Sequence, residues 1–327
     1  MTRDELIRQH GSIRAAARAM GVNESTLRYR FERGEQFEAA PQVDEDLPIE
    51  ELVELRKRRF AQKHKAEVAN KIVDIKVKVP GPIGILHFGD PHVDDDGTDI
   101  AALEHHAKLI RETEGLFGAN IGDTSNNWVG RLARLYAEQS TTAKEAWRLT
   151  EWFIGSVDWL YLVGGNHDTW SGAGDPLQWL ARGISGVHKD HGVRLALNFA
   201  NKTSVMVNAR HDFAGNSIYN PAHGVMKATH FGTRDHLSIC GHKHVSGYGV
   251  LKDPDSGRVC HALQIASYKV YDRYAKERGF RDSSLSPCAV TVIDPTLDDS
   301  HPDKIKIFWD ADEGAAFLKY KRSKHGR

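Results

Sequence analysis

Only three cysteines, Cys240, Cys260 and Cys288, occur in 327 residues. Their number is odd and their spacing fits no paired-thiol motif, which argues against a disulfide framework. No apolar run approaches the roughly 18 residues that span a bilayer. The opening MTRDELIRQH also lacks the apolar stretch of a secretory signal. A cytoplasmic chain with no membrane association is the expectation. Excess charge is missing too: 44 Lys and Arg face 44 Asp and Glu, so net charge selects no partner class. What is present, 40% hydrophobic and 27% charged residues, is ordinary for a globular protein with a sizeable core.

The charge is unevenly placed. Gln36 to Glu54 carries Glu38, Asp44, Glu45, Asp46, Glu50, Glu51 and Glu54 with no basic residue. LRKRRFAQKHK then reverses the sign, and the final KYKRSKHGR is basic again. Such runs form solvated faces or bind polyanions.

Residues 1–35 read as a compact helical unit: TRDELIRQHG stopped by Gly11, SIRAAARAMG with Ser12 as N-cap and Gly21 as C-cap, and NESTLRYRFERG capped by Asn23 or Ser25. Residues 36–70 read as an acidic, proline-containing linker followed by a charged helix from about Glu50 to Asn70. From residue 71 to 327 the texture is α/β. VDIKVKV alternates as a half-buried strand does, and short apolar runs are interleaved with helical stretches. CAVTVID and KIKIFWD suggest late strands.

Five apolar runs end in metal-competent side chains. IGILHFGD leads to Asp90 and His92, LFGANIGD to Asp123, and VDWLYLVGGNHD to Asn166, His167 and Asp168. SVMVNARHD leads to His211 and Asp212, and HLSICGHKH to His242 and His244. Ligands in α/β sheets bind beyond the carboxyl ends of strands. A single histidine among 18 says little, but five polar clusters at five strand ends are hard to assign to chance. Imidazole, carboxylate and amide donors together suit Mn²⁺, Fe or Zn²⁺ better than Ca²⁺ or Mg²⁺.

Asp-x-His, Gly-Asp, Gly-Asn-His-Asp, a lone His and Gly-His-x-His, in that order, resemble the calcineurin-like metallophosphoesterases. The motifs cover about Ile83 to Val245, with no ligand position substituted. The resemblance implies an αββα sandwich holding two divalent ions, most simply Mn²⁺. Asp90, His92 and His244 would hold one, Asn166, His211 and His242 the other, and Asp123 would bridge them. It further implies phosphoester hydrolysis by a hydroxide held between the ions, with His167 as general acid protonating the leaving group. Asp168 could accept the other N–H of that ring or brace the loop. Asp94, Asp95 and Asp96 read as a solvated loop, with a role behind the ligands as the alternative; Asn126 and Asn127 are candidates to touch substrate.

AARAMGVNESTLRYRFERG fits a helix-turn-helix, with Ala17 at the helix contact and Met20, Val22, Leu27 and Phe31 as its core. It resembles the DNA-binding helices of the Fis type. That resemblance makes Ser25 to Arg33 the recognition helix and places Ser25, Thr26, Arg28, Tyr29 and Arg30 at the DNA groove. Joined to such a domain it looks like a phage or prophage product acting on DNA. The expectation is a DNA phosphodiesterase, exo- or endonucleolytic, with dimerisation expected as in related repair nucleases. The basic Arg56 to Lys65 could lie along phosphates. Trp128, Trp147, Trp152 and Trp170 could stack bases but read more simply as core or interface residues. Two rivals stand beside this reading: a phosphomonoesterase or protein phosphatase with a partner-binding N-terminal module, and a non-catalytic DNA-binding regulatory or assembly protein.

Overall fold

The computed structural model describes residues 1–34, 47–127, 139–169, 176–272, 276–277, 279 and 283–325. The first part of the acidic linker, Trp128, Trp170, Gly326 and Arg327 lie outside them. Two compact units divide the chain, Met1–Val68 and Ala69–Arg327.

In the first unit, α1 (Arg3–His10), α2 (Ile13–Ala19) and α3 (Glu24–Glu32) are followed by α4 (Ile49–Ala69). Thr2 opens α1 with a reciprocal capping box to Glu5, and Gly11 closes it in a left-handed conformation. The Ser12 side chain caps α2 on the Ala15 amide. Leu6, Ile13, Ala16, Ala17 and Leu27 form the buried core, with Met20 and Phe31 packed at its edge. Val22, expected inside, is exposed. It follows the α2 C-cap Met20 and the left-handed Gly21, and the core is built from Leu6 and Ile13 without it. No side chain of α4 is buried, so its apolar residues define no packed stripe.

The second unit contains β1 (Val73–Lys76), β2 (Ile83–Phe88), β3 (Leu116–Asn120), β4 (Trp159–Gly164), β5 (Val187–Asp190) and β6 (Gly192–Asn198). Then come β7 (Ser204–Arg210), β8 (Leu237–Cys240), β9 (Gly247–Lys252), β10 (Val259–Gln264), β11 (Cys288–Ile293) and β12 (Ile305–Phe308). They make two six-stranded sheets, ordered β12-β11-β2-β3-β4-β5 and β1-β6-β7-β8-β10-β9. Neighbours from β2 to β5 run parallel, as do β7, β8 and β10.

β2 and β4 are buried on both faces along their whole length, which is why they read as continuous apolar runs rather than alternating ones. Between the sheets pack Ile83, Ile85, Tyr161, Leu195, Val207 and Ile239. The outer face of the first sheet is covered by α5 (Ile100–Arg111), α6 (Ala143–Gly155) and, after β12, the C-terminal helix Ala311–His325. The helix His223–Phe231 covers the second through Val225. The layers are helix, sheet, sheet, helix. β5, β6, β9 and β10 go beyond the strands announced by the apolar runs. Their sequences mix His, Lys, Arg and Gly with apolar residues, so pairing, not local pattern, makes them strands.

Candidate metal centre

Each ligand candidate sits just past a strand end. Asp90 and His92 follow β2, Asp123 follows β3 and Asn166 follows β4, all in the first sheet. His211 follows β7 and His242 and His244 follow β8, in the second. The residues meet in a cleft of about 1890 Å³.

His211 Nε2 is the hub of one half. It lies 2.9 Å from Asn166 Oδ1 and 3.0 Å from His242 Nδ1, and 3.2 Å from Asp123 Oδ2. Its Nδ1–H donates to the Ile121 carbonyl at 3.1 Å, which orients the ring and turns Nε2 toward the cluster. In the other half, His92 Nε2 and His244 Nε2 are 3.3 Å apart, and His244 Nε2 is 3.6 Å from Asp90 Oδ2. Donor atoms of His92, Asp123 and His167 lie within 4.8 Å of one another, as do those of Asp123, His211 and His242. Asp123 is common to both groups.

The backbone is strained here. Asp90, His92, Asp123, His242 and His244 all have positive φ, between 32° and 68°. Non-glycine residues rarely adopt such values, and they cluster at functional sites. Close approach requires glycine at Gly165, where a Cβ would stand 2.1 Å from Asp123 Oδ1. The same holds at Gly241, where it would stand 2.6 Å from Asp90 Oδ1.

The residues fit divalent ions. Four imidazoles, two carboxylates and one amide oxygen are the donor set of Mn²⁺, Fe or Zn²⁺. Paired ring nitrogens about 3 Å apart match the spacing of ligands bound at about 2.1 Å to one ion. Asp90 Oδ1 is buried without a hydrogen-bond partner, a costly state for a polar atom and one that a bound cation would relieve. The electrostatics agree. Burial pushes Asp90 up to about 7 despite His211 and His244. Burial opposes ionisation of Asp123 as well, yet His211, His167 and His92 together hold it far below the usual carboxylate range. Burial lowers His92 strongly, with His167 and His244 adding to it, and lowers His242 in the same way, with His211 adding to it. Burial disfavours charge on His211, but the Asp123 carboxylate overrides it and raises the ring to about 10. The Asp123 carboxylate thus favours a proton on His211, while burial pushes His92 and His242 toward the neutral, electron-pair-donating form, so cation binding displaces protons and weakens in acid.

His167 is part-buried. Its Nδ1–H donates to the Asn126 carbonyl at 2.7 Å, and its backbone amide to Asp123 Oδ1 at 2.9 Å. Its Nε2 lies 3.8 Å from Asp123 Oδ2 and lines the cleft. The ring is therefore oriented by Asn126. Asp168 does not accept from it. Its carboxylate accepts the amides of Gly165 at 2.8 Å and Thr124 at 3.1 Å, bracing the turns that carry Asn166 and Asp123.

The expectation of a solvated Asp94–Asp96 loop holds only for Asp96, whose carboxylate caps Ser140 and Thr141. Asp94 and Asp95 are 1% and 5% exposed. Asp94 Oδ1 accepts the Asn126 amide at 2.6 Å, and Asp95 Oδ2 accepts Asn126 Nδ2 at 2.9 Å and ion-pairs with Lys269. Asn127 Nδ2 donates to the His167 carbonyl. Asn126 and Asn127 thus support His167. Lys269 and Asp272, in SYKVYD, were missed by sequence reasoning, because no local motif marks them. Trp152 packs beside the core, and Trp147 is part-exposed on α6.

In the first unit, Ser25, Thr26, Arg28, Tyr29 and Arg30 are all exposed along α3, with Leu27 turned inward. Arg28 pairs with Glu24 at 2.6 Å, and Arg33 stacks over the Tyr29 ring. Among the described residues no helix is long and apolar enough to cross a membrane.

No protein-family model matches the chain, and no curated protein matches it. Among solved structures it is similar to the calcineurin-like phosphoesterase YfkN from Bacillus subtilis, with 12% identity, a TM-score of 0.39, and 75% of this chain and 98% of that one covered. It is also similar to the Haemophilus influenzae NAD nucleotidase NadN, with 9% identity, a TM-score of 0.37, and 69% of this chain and 49% of that one covered. A third is the Pseudomonas putida nuclease MPE, with 13% identity, a TM-score of 0.32, and 68% of this chain and 87% of that one covered. At these values none of the three bears on the chemistry of the site.

Proposed function

We propose that this chain is a two-metal phosphoester hydrolase acting on DNA, with residues 1–35 as a helix-turn-helix that holds the substrate. The observation that carries the reading is the meeting of Asp90, His92, Asp123, Asn166, His211, His242 and His244 at five strand ends on strained backbone. Two bound divalent cations, most simply Mn²⁺, would supply a nucleophile at neutral pH and neutralise phosphoryl oxygens. The chain's own residues do the rest. Asp123 joins the two donor groups, Asn126 fixes the His167 ring, and His167 Nε2 faces the cleft, where it can protonate a leaving alkoxide. The exposed Arg28, Arg30 and Tyr29 of α3 support DNA contact, with Arg56 to Lys65 as a further source of phosphate contacts.

A second reading has its own support. Asp99, Asp310 and Asp312 are among the residues lining the cleft, and their charge disfavours a long polyanion and favours a compact phosphomonoester. The test supplies metal-stripped protein with Mn²⁺ and offers linear and circular DNA, single- and double-stranded, beside p-nitrophenyl phosphate and its bis-ester. Degradation of DNA, weakened by Arg30→Ala through the DNA concentration needed, supports the nuclease. Turnover of p-nitrophenyl phosphate with DNA intact supports the monoesterase. Metal uptake without any turnover leaves a regulatory protein.

A further inference from the structure

The segment Ser267–Asp272, which follows β10, meets the cluster from one side. Ser267 Oγ donates to the Asp90 carbonyl at 2.7 Å. The amides of Val270 and Tyr271 donate to the Gly97 carbonyl at 3.0 and 3.2 Å, which docks the segment on the loop that follows His92. Lys269 Nζ lies 2.8 Å from Asp95 Oδ2 and 3.5 Å from Asp272 Oδ1, with the Lys269 side chain 10% and that of Asp272 16% exposed. Asp272 Oδ2 in turn lies 3.5 Å from His244 Nδ1. His244 thus presents Nε2 to Asp90 and His92 and Nδ1 to a carboxylate held by a lysine.

We infer that Asp272, clamped by Lys269, is a positioning residue that fixes the His244 ring and sets the affinity of one metal position only, the one served by Asp90, His92 and His244. The inference rests on the two-metal reading above. A carboxylate on the distal nitrogen of a ligating histidine fixes its tautomer and raises its basicity. The other group, Asn166, His211 and His242, is oriented instead by the Ile121 carbonyl on His211.

The full-length protein is stripped with chelator, titrated with Mn²⁺ by isothermal calorimetry, and its bound metal counted by elemental analysis. Wild type should take up two ions. In Asp272→Asn one of them should bind about 10- to 100-fold more weakly with the other unchanged, and Asp272→Glu should regain part of the loss. The intact second ion reports that the variant is folded. Should Asp272→Asn fail to fold, Lys269→Gln, which leaves the carboxylate unclamped, must show the same one-sided loss. Equal weakening of both ions, or of neither, overturns the inference and leaves the two-metal reading standing. Uptake of fewer than two ions by wild type overturns both.

Discussion

Asp123 Oδ2, past the end of β3, lies 3.2 Å from His211 Nε2, past the end of β7, and this contact ties the two sheets together at the site. Asp123 also belongs to both donor groups, so removing it should empty both. Asp123→Ala is expected to retain no Mn²⁺, whereas Asn166→Ala should retain one ion. Elemental analysis after desalting separates the two results.

His167 touches the site through its ring while its backbone amide serves Asp123. His167→Ala keeps that amide. Both ions should remain, with hydrolysis of a phosphodiester carrying a poor leaving group falling about 100- to 10,000-fold. A much smaller loss with p-nitrophenol as leaving group, which needs little protonation, would distinguish a general acid from a structural residue.

Gly165→Ala places a methyl against the Asp123 carboxylate and backbone amide, 2.1 and 2.3 Å away. Neither can yield without moving the bridging position. The cost is about 1–3 kcal/mol of stability, read as a lower urea midpoint, together with loss of bound metal. Gly155→Ala, where nothing lies within 4 Å, is the control and should leave metal content unchanged.

His87 is fully buried in β2 between Tyr161 Oη and Thr291 Oγ1, each at 2.9 Å, and burial lowers its pKa to about 3. The unfolded ring takes up a proton near 6.5 and the folded one does not, so the unfolded state binds more protons between these values. The contribution is fully present above about 6.5 and is lost as pH falls toward 3, with a ceiling of about 5 kcal/mol. Urea unfolding of metal-stripped protein should show His87→Leu losing stability less steeply over this window, by about one proton.

Leu27 is 1% exposed at the centre of the small N-terminal core. Leu27→Ala should cost that unit about 2–5 kcal/mol. Retention on immobilised DNA should fall, while turnover of p-nitrophenyl phosphate stays at the wild-type rate.

Much of this was legible in the sequence because it is local. Residues that end a strand are set by where apolar runs stop, so the polar clusters that hold Asp90, His92, Asp123, Asn166, His211, His242 and His244 could be named from their neighbours, and the resemblance to the metallophosphoesterases singled out those seven. The helix ends at Gly11 and Ser12 follow from backbone freedom and side-chain capping in the same way. Other features depend on which strands become neighbours. That β2, β3 and β4 lie in one sheet and β7 and β8 in the other is set by pairing between distant segments. Asp94 and Asp95 look solvated in sequence and become buried because Asn126 and Lys269 arrive to satisfy them. Asp168 adjoins His167 in the chain, yet the short helix Asn166–Thr169 turns its carboxylate onto the Gly165 and Thr124 amides. The sequence by itself determined which polar clusters follow the strands. Only the tertiary structure decided which atom each donor presents and which neighbours hold it there, because those contacts join residues far apart in the chain.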